Sequence, residues 1–273
     1  MILVTGASGQ LASRIVTHLR TAGADVAEAS RSSTGGGRVM DFDAPATINL
    51  SGVGTLVLVS AGYAEDDVVL RRHAAVLDAA HRDGVGHVVY TSLVGAGDHL
   101  GFALAHRATE ELLRSSGLGR TVMRNGLYAE LVGALLSWQG GVLESPFAQG
   151  FVAAPTRDDL ARATARVALD PTRHDALTYE LTGPPFTVED VARRLEAPVK
   201  DLSLGVYRER LLASSGLLPF QAPMLASIAT SIRHGFLAEH GPDLAGLLGR
   251  DPASGVELAA ESALAARHDS ALV

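Results

Sequence analysis

The chain has 273 residues, 47% of them hydrophobic, which is enough apolar content for a large core and excludes a disordered protein. Its net charge is −7 and Lys200 is the only lysine among 23 basic residues, so the basic stripe of a general nucleic-acid binder is missing. There are no cysteines, which removes disulfides, thiolate metal sites and cysteine nucleophiles together, and no apolar run reaches the roughly 18 residues of a membrane span. Strand residues open the chain without a basic segment and cleavage site. No secretory signal is therefore read, and a cytoplasmic location is expected.

Residues 1–5 predict a strand that runs into Gly6-x-x-Gly9-x-x-Ala12 and then a helix. A strand ending in such a turn aims backbone N–H groups and a helix N-terminus at one point, a ready site for a pyrophosphate. Gly6 permits the tight turn, Gly9 permits close approach of the anion, and Ala12 is small enough for the helix to pack on the strand. Ala7, Ser8, Gln10 and Leu11 belong to the same cofactor loop. Leu11, Ile15, Val16 and Leu19 form an apolar stripe at helical spacing that stops near Gly23.

The second predicted strand covers residues 25–31. A site that prefers NAD usually carries an acid at this end to take the ribose hydroxyls. Here the tip is Ser30-Arg31-Ser32-Ser33, with no acid. Arg31 can meet a 2′-phosphate through charge-assisted hydrogen bonds worth roughly 1.5–3 kcal/mol each, so NADP(H) is expected. The bland alternative is a solvated loop arginine.

Further strands are predicted at 37–41, 55–60, 87–92 and 120–124, with helices at 65–82 and 102–116 between them. The 55–60 segment, Thr-Leu-Val-Leu-Val-Ser, is apolar almost throughout, as expected for a strand buried on both faces. This alternation predicts an α/β fold, a doubly wound, mostly parallel Rossmann-type sheet with helices on both faces. Residues 1–150 are read as the NAD(P)-binding domain. Residues 151–273 are read as a smaller, mainly helical substrate-binding region, partly interleaved with the sheet and packed over its carboxyl edge. In that half, Thr156 and Thr187 each stand three residues before a carboxylate, a capping-box variant that opens a helix. Residues 178–181 read as a short strand, and the pattern from Tyr207 onward is helical, punctuated by Gly216, Pro219, Pro223, Gly241-Pro242 and Asp251-Pro252.

Other chemistries find no support. Gly6-Ala-Ser-Gly9 is not a hydrolase elbow, and the phosphate-cradling Gly-x-x-x-x-Gly-Lys pattern is absent. The ten histidines form no metal-ligand set. His234 and His240 are expected on a surface helix, in solvent.

Four segments resemble the atypical short-chain dehydrogenases of the NmrA-like group, and within it the NAD(P)H:quinone oxidoreductase type. They are Thr5-Gly-Ala-Ser-Gly-Gln-Leu11, Tyr90-Thr-Ser-Leu93, His106-x-x-Thr-Glu110 and Arg124-Asn-Gly-Leu-Tyr128. The tail, Gly235-Phe-Leu-Ala with Asp243–Arg250, is similar to the same type, so the resemblance spans nearly the whole chain. Ordinary short-chain dehydrogenases carry a serine and then Tyr-x-x-x-Lys. This chain has Ser92 but Phe102-Ala-Leu-Ala-His106. A positioned general acid contributes about 10²–10⁴-fold, so efficient ketone reduction by the usual route is not expected. A quinone is the better acceptor, because the oxyanion formed on hydride addition is less basic than an alkoxide.

The resemblance implies catalytic roles for Ser92 and His106. Ser92 contacts substrate or nicotinamide, or merely satisfies local backbone. His106 hydrogen-bonds the nicotinamide ribose or protonates the reduced substrate, or else it is a surface histidine paired with Glu110 at i+4. Asp41 and Phe42 resemble residues that flank adenine, and Ser60, Ala61 and Tyr63 border the cofactor. Leu93, Phe102, Asn125 and Tyr128 are assigned to the substrate cleft, with Tyr128 alternatively a packed aromatic. The expected partner is a quinone-like small molecule, with no nucleic acid, no membrane and no metal; a homodimer is left open. Two other functions stay in play: a redox-sensing regulator that binds the dinucleotide without turnover, and a tailoring enzyme of secondary metabolism acting on a polycyclic substrate.

Overall fold

Adjacent residues on a strand face opposite sides of its sheet, so a strand buried on both sides needs apolar residues in succession. The first strands meet this demand. In the computed structural model, which describes residues 1–32, 37–61 and 64–269, Leu3 pairs in register with Leu56, and Leu56 with Val88. These three, with Leu58 and Tyr90, face one helical layer, while Val4, Val57, Val89 and Met123 face the other.

The elements of the first half are β1 (Ile2–Thr5), α1 (Gln10–Thr21), β2 (Val26–Ser30), β3 (Arg38–Val39), β4 (Thr55–Val59), α2 (Asp66–Arg82), β5 (His87–Leu93), α3 (Ala103–Ser115) and β6 (Gly119–Asn125). Then come α4 (Ala129–Ala134), β7 (Ser137–Gln139), β8 (Val142–Ser145), α5 (Arg157–Leu169), β9 (Thr178–Leu181), α6 (Val188–Arg194), β10 (Val199–Asp201), α7 (Leu204–Ala213), α8 (Gln221–Arg233), α9 (Asp243–Leu248) and α10 (Val256–Asp269). The main sheet has seven strands in the order β3-β2-β1-β4-β5-β6-β9, every pair parallel. The strand order reverses beside β1, so β1 and β4 splay their connections to opposite faces and open a crevice at their carboxyl ends, where such sheets bind ligands.

The third strand is shorter than residues 37–41 suggest. After Met40 the chain turns back, because the Asp41 N–H donates to Thr47 Oγ1 at 2.9 Å instead of extending the ladder. Residues beyond 150 are built into the sheet on one face and at one edge. Helix α5 packs on α1 over one face, and β9 adds the strand beside β6. A second, three-stranded sheet of β7, β8 and β10 has no counterpart in the sequence reading. Buried Glu144 on β8 joins it to α7, accepting from Lys200 Nζ at 2.8 Å and Arg210 Nη1 at 2.6 Å.

Both predicted threonine caps form. Thr187 and Asp190 make the reciprocal box, whereas at α5 only half of it closes. There the Asp159 carboxylate is taken by Arg250 Nη2 at 2.5 Å and by the Ala253 N–H at 2.7 Å. Pro223 does not interrupt the helical pattern: it sits in the first turn of α8, where a missing N–H costs nothing. Among the described residues no helix is long and apolar enough to cross a membrane.

Candidate active site

Gly6 has φ +63°, a conformation that favours glycine, and it turns the chain directly from β1 into the head of α1. A Cβ on Gly9 would come within 3.1 Å of the Gly6 carbonyl, a tight contact that favours glycine there as well. Gly9 caps α1 without a side chain, and no acidic residue occupies the first turn. The leading N–H groups of the helix, on Gln10 and Leu11, have no preceding turn to accept them, and they join the positive end of the helix dipole.

This turn forms one wall of a cavity of about 360 Å³. Of the residues assigned to the cofactor from the sequence, Gly6, Ser8, Gly9, Arg31, Asp41, Phe42, Ser60 and Ala61 line it. Ala7 and Leu11 do not: the Ala7 N–H is held by the Ala29 carbonyl at 3.0 Å, and the Leu11 side chain lies in the core. Gln10 is exposed at the head of α1 and is also outside the lining. Leu11 and Gln10 therefore present only their backbone N–H groups at the head of α1. Tyr63 and Ser33 lie outside the described residues. Six lining residues were not assigned to the site from the sequence, and two of them are charged, Asp43 and Arg72. The acid missing from the end of β2 enters from the loop after β3 instead.

A second cavity of about 290 Å³ adjoins the first and shares Val59 and Ser60 with it. Leu93, Phe102, Asn125 and Tyr128 all line this chamber, together with Ser92 and His106. Its roof is Gln221, Met224, Leu225 and Ile228 of α8, which carry no local sequence signal for ligand contact. The Tyr128 ring borders the chamber and also stacks under the Arg157 guanidinium at 4.5 Å.

Asn125 is 4% exposed, and neither its Oδ1 nor its Nδ2 has a hydrogen-bond partner among the described residues. A buried amide left unsatisfied costs about 1–3 kcal/mol. Ser92 is in the opposite situation. Its hydroxyl donates to Glu110 Oε1 at 2.5 Å and accepts from Arg107 Nη1 at 3.2 Å. Burial alone would raise the Glu110 carboxyl, but the Arg124 and Ser92 hydrogen bonds hold it below the usual range. Arg124 bridges Glu110 to Glu180 of β9, at 2.7 and 2.9 Å.

His106 is not paired with Glu110 at i+4, because Arg107, Arg124 and Ser92 occupy that carboxylate. The imidazole turns inward, with Nδ1 3.0 Å from the Tyr90 hydroxyl. Desolvation, helped by the Arg107 charge, pushes its pKa down to about 4, so the ring is neutral near pH 7. Behind it, fully buried His73 accepts the Ala61 N–H on Nε2 at 3.1 Å, and its Nδ1 lies 2.8 Å from Thr109 Oγ1. Burial depresses His73 to about 3. Its neutral form therefore ties the rim of the first cavity to α2 and α3.

His240 lies in the segment after α8, not on a helix as expected, because the helix ends at Arg233. Its Nδ1 faces Thr182 Oγ1 at 3.4 Å. No group of metal-ligating side chains occurs among the described residues.

The chain matches no protein-family model. It is 33% identical to quinone oxidoreductase 2 of Escherichia coli over 274 residues, spanning 91% of this chain and 94% of that one. The chain belongs to the NmrA-like family of oxidoreductases. A second relative in this family, the NmrA-like family domain-containing oxidoreductase of Aspergillus flavus, is 29% identical over 92% of the chain and 91% of its own length. Among solved structures, the NADPH-dependent quinone oxidoreductase of E. coli complexed with NADPH superposes with a TM-score of 0.83 at 29% identity, covering 96% and 99% of the two chains. The Citrobacter triphenylmethane reductase complexed with NADP(H) also gives 0.83, at 26% identity and the same coverage. The transcriptional regulator NmrA, at 15% identity and a TM-score of 0.73, shares the fold.

Proposed function

We propose that this NmrA-like oxidoreductase uses NADPH to reduce a quinone or a quinone-like aromatic. One observation carries the reading: a glycine-turn cavity and an apolar chamber meet at Val59 and Ser60, where β4 ends. The cradle around Gly6, Gly9 and the head of α1 fits a diphosphate, and Arg31 at the far wall suits a 2′-phosphate. The relatives that bind NADPH or NADP(H) support this choice of coenzyme.

When bound, such a coenzyme supplies a hydride, and the quinone gains that hydride and a proton to become a hydroquinone. The chain's part is to position and to exclude water. Leu93, Phe102, Leu127 and the α8 residues offer flat apolar contact to a ring, and the Asn125 amide is free to donate to a ring carbonyl. Neutral His106 fits hydrogen bonding better than transfer of a proton from an imidazolium. Ser92 is a positioning residue in this scheme, since its hydroxyl is already bound to Glu110. Phe102 and His106 stand where other short-chain dehydrogenases carry tyrosine and lysine, which favours an acceptor that needs little proton donation in the transition state.

The test is steady oxidation of NADPH by the purified chain across a panel of benzoquinones and naphthoquinones. Turnover with quinones but not with simple ketones supports the reading. Tight NADP(H) binding with no turnover across the panel would replace it with a dinucleotide sensor.

A further inference from the structure

The wall of the nucleotide cavity that holds Arg31 also holds a carboxylate, Asp43. An anion there opposes a 2′-phosphate and competes with it for the arginine. Asp43 is not a loose side chain, however. Arg72 on α2 grips it with both arms of the guanidinium, Nε to Oδ1 at 2.8 Å and Nη2 to Oδ2 at 2.5 Å. Arg71 Nη2 stands 3.7 Å from Oδ1. The loop itself is fixed, since the Asp43 N–H donates to Asp41 Oδ1 at 3.0 Å and Asp41 is tied to Thr47. The Arg72 side chain is 20% exposed and that of Asp43 43%, so the arginine half of the fork is embedded in the wall. Arg31 also acts on this carboxylate electrostatically, after Arg72 and Arg71.

We infer that Arg72 sets coenzyme selectivity through Asp43: by engaging both carboxylate oxygens it keeps Asp43 from pairing with Arg31 and leaves that arginine for the 2′-phosphate of NADP(H). The inference rests on the NADPH reading above. Without the fork, Asp43 turns toward Arg31 and repels the phosphate. NAD(H) loses nothing by this, because acids at this end of a nucleotide site take ribose hydroxyls. Arg72 is thus a positioning residue, and the sequence spacing of 29 residues between the partners hides it.

Calorimetric titration of the full chain with NADP⁺ and NAD⁺ tests this in wild type, R72Q, D43N and D43N/R72Q. R72Q should weaken NADP⁺ about tenfold, the scale of one charge-assisted contact, and leave NAD⁺ within about twofold. D43N should keep the wild-type preference, and the double variant should recover it to within about threefold, because no carboxylate remains to restrain. R72K, which keeps the charge but not the fork, should fall between wild type and R72Q and serves if R72Q folds poorly. Equal weakening of both coenzymes in R72Q overturns the inference. So does a double variant as poor as R72Q, which would mean that Arg72 binds the phosphate itself. A wild type without NADP⁺ preference overturns the NADPH reading and this inference with it; a wild type with the preference, unchanged in R72Q and R72K, overturns the inference alone.

Discussion

The Tyr90 hydroxyl reaches Nδ1 of His106 at 3.0 Å, from a strand residue with no exposed surface to a ring that borders the second cavity. When the phenol donates, the imidazole proton resides on Nε2, which sets what the ring can offer to a ligand. Tyr90→Phe keeps the packing and deletes this tie. It should lower turnover with quinones about tenfold while NADPH affinity changes less than about twofold, as read by steady-state kinetics and titration. Unchanged turnover would remove His106 orientation from the mechanism.

Asn125 gives a prediction with opposite signs for stability and activity. Replacing its unsatisfied amide with the similarly shaped leucine, Asn125→Leu, should raise stability by about 1 kcal/mol and raise the melting temperature. The same change removes the donor proposed to meet the acceptor, and turnover should fall at least about tenfold. A lower melting temperature in this variant would show that the amide is satisfied in the folded protein.

Acid should destabilise the fold through His73. Its folded pKa, about 3, lies below the ordinary value of 6.5, so the unfolded chain binds more protons in the window between them. The stabilisation is complete above pH 6.5 and is lost as the pH falls toward 3. Between pH 7 and pH 5 this residue alone should cost about 2 kcal/mol. Urea unfolding at the two pH values, in wild type and in His73→Gln, measures it; the variant should lose correspondingly less. His106, depressed to about 4, adds a slope of the same sign.

Arg31→Ala should weaken NADPH much more than NADH, by about tenfold or more in the ratio of dissociation constants. Equal losses would show that Arg31 does not read the 2′-phosphate.

These residues differ in how far the sequence reveals them. The run Thr55–Val59 announces a buried strand because every residue in it is apolar or β-branched, and Thr187 with Asp190 announces a helix start because the cap is local. The glycine turn and Arg31 are legible for the same reason. Asp43 and Arg72 belong to different elements, and only the folded sheet brings them together. His73 follows Arg71 and Arg72 in a charged stretch, yet the helix turns it into the core. Strands β7 and β10 escape the sequence reading because Ser-Trp-Gln and Val-Lys-Asp carry no run of apolar or β-branched residues, and β10 is exposed along its length.

Strand β9 comes from the second half of the chain, and its Glu180 receives both the Gly95 N–H at 2.7 Å and Arg124 at 2.9 Å. The first 150 residues are therefore tied to the rest of the chain through β9. Truncation near residue 150 would bare the edge of β6, strand an arginine and strip α1 of its covering helix. For anyone building chimaeras with relatives, specificity and scaffold travel together. A transplanted C-terminal segment brings its own outermost strand, so exchange of single chamber residues is the cleaner route to a new acceptor.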